Sequence, residues 1–304
     1  MSDTLLDHKA LVASLDDEQR LKLTAKSDIA GLLNLATHIA GLAVTGSWIV
    51  LGWPLWQVAM VLHGLQLVFL FTLLHETVHF TPFKTPWINQ AVGWACGFLI
   101  LLPPLWFRYF HLAHHRYTHE PGKDPELDGP PIETLPRYLW TITGIPVWRF
   151  HIGTMFRNAT GSFEYAYLPD AAHGRVTREA RIMLVLYTAI IAICIALNTL
   201  LLVYLWIIPL VLGQPFLRLY LMAEHGRCPH VANMLENTRT TYTTRAMRWL
   251  AWNMPYHIEH HAYPSVPFHQ LPEFHKVAKV HLQTTENGYG AFHAKEINHL
   301  QSSG

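Results

Sequence analysis

The sequence predicts an all-α integral membrane protein with four transmembrane helices, a re-entrant or interfacial hairpin, and a cytoplasmic helical cap. Of its 304 residues, 51% are hydrophobic and only 14% are charged, whereas roughly 25% of the residues of a typical soluble domain are charged. The apolar residues collect in blocks of about 20, the length that a helix needs to cross a bilayer. The net charge of +1 excludes the strongly basic footprint of a nucleic-acid-binding protein.

The first two membrane helices are predicted over residues 28–51 and 54–74, joined by an uncharged turn. A longer apolar run covers residues 182–223. At about 1.5 Å per residue, this run is roughly twice as long as a bilayer requires. We therefore interpret it as the third and fourth helices, with a turn near residues 198–204.

A further apolar block, over residues 88–106, is predicted not to cross the membrane. It lies between two clusters of histidines, and a single crossing would place those clusters on opposite sides. Gly93, Gly97 and the pair Pro103-Pro104 also interrupt a helical pattern here. The block is therefore interpreted as a re-entrant or interfacial hairpin.

The distribution of basic residues predicts the orientation. Every Lys and Arg lies in residues 1–27, in residues 84–181, or from Arg218 onward, and the two short turns near 52 and 200 have none. The positive-inside rule then places both termini and every histidine cluster in the cytoplasm. The expected organisation is a cytoplasmic N-terminal segment at 1–27, a membrane domain at 28–280, and a C-terminal tail at 281–304.

Histidine is the residue type in excess, with 21 in the chain. Eight of them lie in three motifs, which are His75-Glu-Thr-Val-His79, His111-Leu-Ala-His114-His115 and His257-Ile-Glu-His260-His261. Positions i, i+3 and i+4 share one face of a helix, so each motif presents its imidazoles to one point. Eight imidazoles are too many for one metal ion and suit two, but imidazole binds Zn, Cu, Fe and Ni alike.

Other interpretations of these residues remain open at this point. The first motif also matches the HExxH motif of zinc proteases, in which Glu76 would be the general base, but this leaves six clustered histidines without a role. A histidine-rich metal transporter or storage protein is a third class, although the clusters lie outside the predicted spans. Isolated His38 and His63, inside predicted helices, are expected to be hydrogen-bonded structural residues. The three cysteines lie far apart and predict neither disulfides nor a thiolate metal site.

The three motifs resemble the histidine boxes of the membrane fatty acid desaturase superfamily, which includes acyl-lipid desaturases and carotenoid hydroxylases and ketolases. The second motif, continuing through His119 to Asp124-Pro125, resembles that superfamily's second box, and the third motif with its tail to Pro267 resembles the third box. The first box has three residues between its histidines, as in the acyl-lipid and carotenoid branches. Leu221 stands where the acyl-CoA branch has an asparagine.

The resemblance implies a di-iron centre that reacts with O₂ and is held almost entirely by histidine. The matching ligand positions, with a ninth ligand from the end of the last membrane helix, are His75, His79, His111, His114, His115, His225, His257, His260 and His261. Metal-bound imidazoles usually donate their other N–H to a carboxylate or carbonyl. Asp124 and Glu224 are candidates for that role as well as for solvated carboxylates, and His119 is either a further ligand or a supporting donor. The neighbouring carboxylates of Glu76, Glu120 and Glu259 are expected to be solvated.

The resemblance also implies an O₂-dependent membrane oxygenase acting on a lipid-like substrate. Desaturation of a fatty acyl chain is favoured by the spacing of the three boxes and by the tail from Pro264 to Pro267. Hydroxylation or ketolation of a lipid or carotenoid is the alternative. The sequence has no GxGxxG dinucleotide fingerprint, no four-cysteine iron–sulfur pattern and no fused His-Pro-Gly-Gly segment. A separate electron donor of ferredoxin, rubredoxin or cytochrome type is therefore expected on the basic cytoplasmic face, with membrane lipids as the other partners.

Overall fold

A computed structural model of the chain describes residues 5–302, which are almost entirely helical. The helices are α1 (His8–Ser14), α2 (Asp17–Leu23), α3 (Asp28–Val50), α4 (Trp56–Val78), α5 (Pro86–Leu99), α6 (Pro104–Tyr117), α7 (Leu135–Ile142), α8 (Ile145–Thr160), α9 (Asp170–Ala196), α10 (Ile208–His225), α11 (Met234–Asn237), α12 (Arg245–Leu250), α13 (His257–Ala262), α14 (Leu271–Ala278) and α15 (Tyr289–Ser302). A 3-10 turn follows α6 at Pro125–Asp128, and a π-helical turn at Val203–Ile207 leads into α10. Two short parallel strands, β1 (Thr240–Thr241) and β2 (Thr285–Glu286), pair beside the last helices.

Four segments are long and apolar enough to cross a membrane, namely Asp17–Val50, Trp56–Val78, Asp170–Ala196 and Val203–His225. The predicted class, an all-α membrane protein with four spans and a hairpin, is confirmed. The second membrane helix, α4, continues past its predicted end at residue 74 to Val78. It therefore carries the first histidine motif on its last turns.

The third membrane helix begins earlier in the chain than the hydropathy suggested. α9 starts at Asp170 rather than at Ile182. Its first three turns are helical because Ala172, Val176 and Ala180 lie on one face, four residues apart, and are buried. The polar side chains between them mask this face in a simple hydropathy pattern.

α4 and α10 form the centre of the membrane domain, and their backbones meet at two glycines. A Cβ atom on Gly64 would lie 2.0 Å from the Pro209 carbonyl oxygen, and one on Gly213 would lie 2.2 Å from the Gly64 carbonyl oxygen. Small residues allow membrane helices to approach this closely, and close approach supplies the van der Waals packing that holds such helices together. The crossing fixes where the ends of α4 and α10 lie.

A histidine satisfies a backbone group that a proline leaves free inside the membrane. Pro209 has no N–H to donate to the carbonyl of Leu205, four residues before it. His63 Nε2 lies 3.1 Å from that carbonyl oxygen, and its Nδ1 lies 2.7 Å from the Thr45 hydroxyl. His38 similarly pairs with the Gln66 carbonyl oxygen at 2.9 Å. Both histidines are therefore hydrogen-bonded structural residues, as expected, and they connect α3, α4 and the π-helical turn that leads into α10.

α5 and α6 are bent against each other by 101°. At the bend, a Cβ on Gly97 would lie 2.5 Å from the Leu102 carbonyl oxygen, so only glycine fits. The last carbonyls of α5 have no partner within the helix, and two of them accept hydrogen bonds from Tyr187 (2.7 Å) and Trp206 (2.6 Å). The hairpin is thus held against α9 and α10.

Helices at both ends of the described chain pack against helices that carry the histidine motifs and the His225 ligand position, and we call these packed helices outside the spans the cap. Leu11 and Leu15 are buried where α1 meets α13, the helix that carries the third histidine motif. The residues expected as a C-terminal tail contain α15, which packs on α10 through buried Phe292 and Leu300. The cap is therefore closed by N-terminal and C-terminal helices together.

Candidate metal centre

All nine histidines proposed as ligands converge on one region of the fold. They come from four helices: the end of α4, the second half of α6, the end of α10, and α13. His111 Nε2 lies only 3.0 Å from His79 Nε2, so the α5–α6 hairpin returns its histidines to the side from which α4 arrives. The hairpin therefore does not separate the two clusters, as the sequence argument required.

The histidines form two groups. Ligand atoms of His75, His79, His111, His115 and His260 lie within 4.8 Å of one another, and so do those of His114, His225 and His261. His257 joins the second group, because its Nε2 lies 3.1 Å from His225 Nε2. Each motif contributes to at least one group, so the motifs build one composite site.

The second group presents nitrogen lone pairs that face each other without a proton between them. His114 directs Nδ1 to the Asp124 carboxylate at 3.0 Å, and His225 directs Nδ1 to the Asn237 carbonyl oxygen at 3.2 Å. Both acceptors need the imidazole proton on Nδ1, which leaves Nε2 bare. The two bare Nε2 atoms are 3.2 Å apart. Such a pair repels unless a cation lies between its members, and metal–nitrogen bonds of about 2.1 Å produce N···N separations of about this size.

The first group also contains ring nitrogens that face each other. His260 Nε2 lies 3.1 Å from His115 Nε2, while its Nδ1 points towards the Glu76 carboxylate at 3.6 Å. Both ring nitrogens of His75 are buried and have no hydrogen-bond partner. A buried polar nitrogen without a partner costs about 1–3 kcal/mol, so these side chains fit a bound metal better than a core of ordinary histidines.

Burial favours the neutral form of four of these imidazoles, which are His79, His257, His260 and His261. Desolvation, followed by the neighbouring histidines, holds the pKa of His257, His260 and His261 well below the usual value. Burial, with a smaller contribution from Arg108, lowers the pKa of His79 to about 3. Neutral imidazole is the form that binds a metal, and at neutral pH these residues have no proton to displace from the ligating nitrogen.

A family model, fatty acid desaturase, matches residues 51–292, which is most of the chain and includes all three histidine motifs. The chain belongs to the fatty acid desaturase family. It is 25% identical over 293 residues to dihydrorhizobitoxine desaturase of Bradyrhizobium elkanii, covering 91% of this chain and 82% of that protein. It is 26% identical to a sphingolipid delta(4)-desaturase of Drosophila melanogaster, covering 68% of this chain and 60% of that protein.

A third relative is the human sphingolipid delta(4)-desaturase/C4-monooxygenase. It is 26% identical over 175 residues, which cover 57% of this chain and 49% of that protein. The chain thus spans about half to four-fifths of the length of these relatives. Together the relatives support a desaturase or oxygenase type of enzyme.

Within this desaturase-family site, the three expected supporting residues occupy different positions. Asp124 is buried and accepts hydrogen bonds from the ring of His114 and from the backbone N–H groups of His119 and Glu126. Burial alone would lower the pKa of His114, but Glu126 and Asp124 outweigh burial and raise it. Glu224 Oε1 lies 3.5 Å from His257 Nδ1. Both carboxylates therefore contact an imidazole of the second group.

His119 lies at the edge of the site and belongs to neither group of facing nitrogens. Its Nδ1 donates to the Pro229 carbonyl oxygen at 3.2 Å, and its backbone adopts the left-handed conformation at φ 61°. This geometry turns the chain after α6 so that Asp124 can return to His114. His119 thus positions Asp124 through its backbone N–H.

The expectation that Glu76 and Glu259 are solvated is wrong, because both carboxylates have no exposed surface. Glu76 accepts hydrogen bonds from the Thr81 hydroxyl and the Phe268 backbone N–H, at 3.0 and 3.1 Å. Its carboxylate lies on the outer side of the histidine cluster, towards His260 Nδ1, so it is not placed as the general base of a zinc protease. Glu120 is indeed solvated and pairs with Lys123.

Several groups that support the histidines were not identified from the sequence. Thr118 places its hydroxyl 3.2 Å from His261 Nδ1. Glu259 accepts hydrogen bonds from Thr240 at 2.5 Å and from His275, so it fastens α13 to β1 and α14. Their position beside or between box histidines was the available signal, because metal-bound imidazoles usually have such partners. The Asn237 carbonyl had no signal in the sequence.

Proposed function

We propose that this chain is an O₂-dependent di-iron membrane oxygenase that introduces a double bond into a fatty acyl or other lipid chain. The observation that carries the proposal is the pair of histidine groups whose buried ring nitrogens face one another at 3.2 and 3.1 Å. Family membership and relatives named desaturases support it. Iron bound there would supply O₂ activation and the oxidising power to break an unactivated C–H bond, which no side-chain acid or base can do.

The two ions would have different histidine shells. His75, His79, His111, His115 and His260 would hold one ion, and the second would be held by the remaining ligands, which are His114, His225, His257 and His261. Asp124 accepts a hydrogen bond from His114 Nδ1 and the Asn237 carbonyl accepts one from His225 Nδ1, so each holds an imidazole in the tautomer that frees Nε2. The protein thereby fixes the direction of each ligand before a metal binds.

The place of the site suits a substrate that resides in the membrane. Both α4 and α10 end at the histidine cluster, and both are membrane-spanning segments. A lipid could bring an acyl chain to this level while its apolar part stays out of water. The buried cluster excludes bulk water, which protects a reactive centre from side reactions.

The orientation and the electron donor belong to the same proposal. The basic residues flank the cap side of the spans and are absent from the turns at the other end, so the positive-inside rule favours a cytoplasmic cap. The reaction consumes electrons, and we infer a ferredoxin, rubredoxin or cytochrome-type partner that docks on this cytoplasmic side.

Hydroxylation is the second candidate outcome. Two of the relatives, from human and mouse, are named desaturase/C4-monooxygenase, which couples both outcomes in one protein. Loss of a second hydrogen atom and return of a hydroxyl group compete after the first C–H bond breaks. A difference of about 1.4 kcal/mol between their barriers changes the product ratio tenfold.

The test is to profile the lipids of a host that expresses the chain with a compatible reductase. A new lipid lighter by two hydrogen atoms, absent when His261→Ala is expressed at the same level, is the expected result. A product heavier by one oxygen atom, with no alkene, would replace desaturation by hydroxylation. No new product with wild-type iron loading and an active reductase would contradict the proposed activity on lipids of that host.

A further inference from the structure

The turn between α7 and α8 meets α10 near a set of polar side chains, Trp148, His151, Gln214 and Arg218, which we call the polar recess. The turn between α7 and α8 touches α10 at Gly144, where an added Cβ would lie 2.3 Å from Gln214 Cγ. Gly144 also has a positive φ of 73°, a conformation that glycine adopts readily. This contact holds the turn between α7 and α8 against α10.

Four buried polar atoms in this region have no hydrogen-bond partner. They are Trp148 Nε1, His151 Nδ1, Gln214 Oε1 and Arg218 Nε. Trp148 and His151 follow Gly144 by one and two helical turns, and Arg218 follows Gln214 by one turn, so each pair shares one face of its helix. Leaving a buried donor or acceptor unsatisfied costs about 1–3 kcal/mol each, so a polar ligand that pairs with these atoms would recover part of that cost.

Arg218 supplies the charge of this recess. It lies within the membrane-spanning segment Val203–His225, where a charged side chain is a candidate for function. Its charge acts on His151, Glu126 and Glu224. Among residues 5–302, however, no carboxylate lies within ion-pair distance of its guanidinium, and its Nε is sealed from solvent without a partner.

The two nearby carboxylates are directed to the histidine cluster instead. Glu224 lies 3.5 Å from His257 Nδ1, and Glu126 lies 3.7 Å from His114 Nδ1. The side chain of Glu126 is nevertheless 40% exposed, so accessible space reaches the edge of the cluster here. The guanidinium is therefore the group in the recess that still lacks a counter-ion.

We propose that this recess binds the anionic head group of the substrate, with Arg218 as its counter-ion. The inference rests on the proposed function and names its substrate class: an amphiphile with a carboxylate or phosphate, and not a neutral carotenoid. Trp148 and Arg218 each offer an N–H to the oxygen atoms of such a group, and Gln214 offers an acceptor to a hydroxyl beside it. Arg218 precedes His225 by two helical turns, roughly 10 Å along the axis, which leaves the acyl chain free to extend to the metal ligands.

The test measures ligand binding to the full-length protein purified in a maltoside detergent, by its unfolding temperature. The probes are dodecanoate, dodecyl phosphate and dodecanol, which share one chain and differ in charge. At least one anionic probe should bind wild type roughly tenfold or more tightly than dodecanol does, the amount expected for charge-assisted hydrogen bonds. Arg218→Met should lose this preference, and Arg218→Lys should retain part of it.

The matched control is Arg178→Met, which removes an exposed arginine from α9 and should leave the preference for an anion intact. Equal binding of dodecanol and both anionic probes to wild type would overturn the proposal, as would an undiminished preference in a folded Arg218→Met protein. The unfolding temperature reports binding of the probe and requires neither turnover nor bound iron. A protein that prefers the anion but contains no iron would therefore contradict the proposed function and leave the recess assigned.

Discussion

Replacing Asp124 by asparagine should weaken metal binding without dismantling the fold. The carboxylate lies 3.0 Å from His114 Nδ1, and it also accepts the backbone N–H groups of His119 at 2.8 Å and Glu126 at 3.0 Å. The asparagine side chain replaces one carboxylate oxygen by an NH₂ group, which is a donor. At least one of the three N–H groups that point at Asp124 would then face another donor. The imidazole of His114 then loses the charged acceptor that holds its proton on Nδ1.

The size of the effect follows from these contacts. One unsatisfied buried N–H costs about 1–3 kcal/mol of folding stability. Loss of a carboxylate that orients a metal-bound imidazole usually lowers metal affinity about 10- to 100-fold, which corresponds to roughly 1.4–2.7 kcal/mol. Asp124→Ala should exceed both values, because all of its donors lose their acceptor.

The assay is iron retention during titration with a chelator, together with the helical circular dichroism of the same sample. Glu120→Gln is the control, because Glu120 is solvated and pairs only with exposed Lys123. Asp124→Asn should release iron at a lower chelator concentration, and the control should match wild type. Wild-type iron affinity in a fully helical Asp124→Asn protein would refute the role assigned to this carboxylate.

Gly64→Leu should abolish folded protein in the membrane, because its Cβ would lie 2.0 Å from a carbonyl oxygen of α10. The control Gly174→Ala adds a Cβ in open space and should accumulate normally. Comparable yields of the two variants after size-exclusion chromatography would contradict the close crossing of α4 and α10. The exposed positions Lys84 and Arg116 lie near the two ends of the α5–α6 hairpin, and cysteines placed there in an otherwise cysteine-free chain should both react with a reagent added to the cytoplasmic side. Labelling of the two from opposite sides of the membrane would mean that the hairpin crosses it.

The membrane helices and the convergence of the histidines could be predicted from the sequence because each rests on a short-range pattern. Apolar length predicts a span, and the i, i+3, i+4 spacing predicts which imidazoles share a face. The return of the hairpin followed from the requirement that histidines before and after it meet. The early start of α9 was also encoded, since Ala172, Val176 and Ala180 repeat every four residues, but polar neighbours hid it from a hydropathy argument.

The remaining features depend on contacts between distant parts of the chain. Glu76 is buried because Phe268, 192 residues later, places its backbone N–H against the carboxylate. His225 is oriented by the carbonyl of Asn237, a group that every residue type possesses. The polar recess combines side chains of α8 and α10, which lie about 60 residues apart in the chain. A pattern of neighbouring residues in the sequence does not predict which side chains these long-range contacts bury.

The central claim is that the two histidine groups hold two iron ions, and metal analysis of the purified chain tests it most directly. Protein from an iron-replete host should contain about two irons per chain, in keeping with two separate sets of imidazole ligands. His260→Ala in the first group and His261→Ala in the second should each lower this content while the helical circular dichroism stays unchanged. One zinc per chain in place of iron, or full iron content in both variants, would contradict the account.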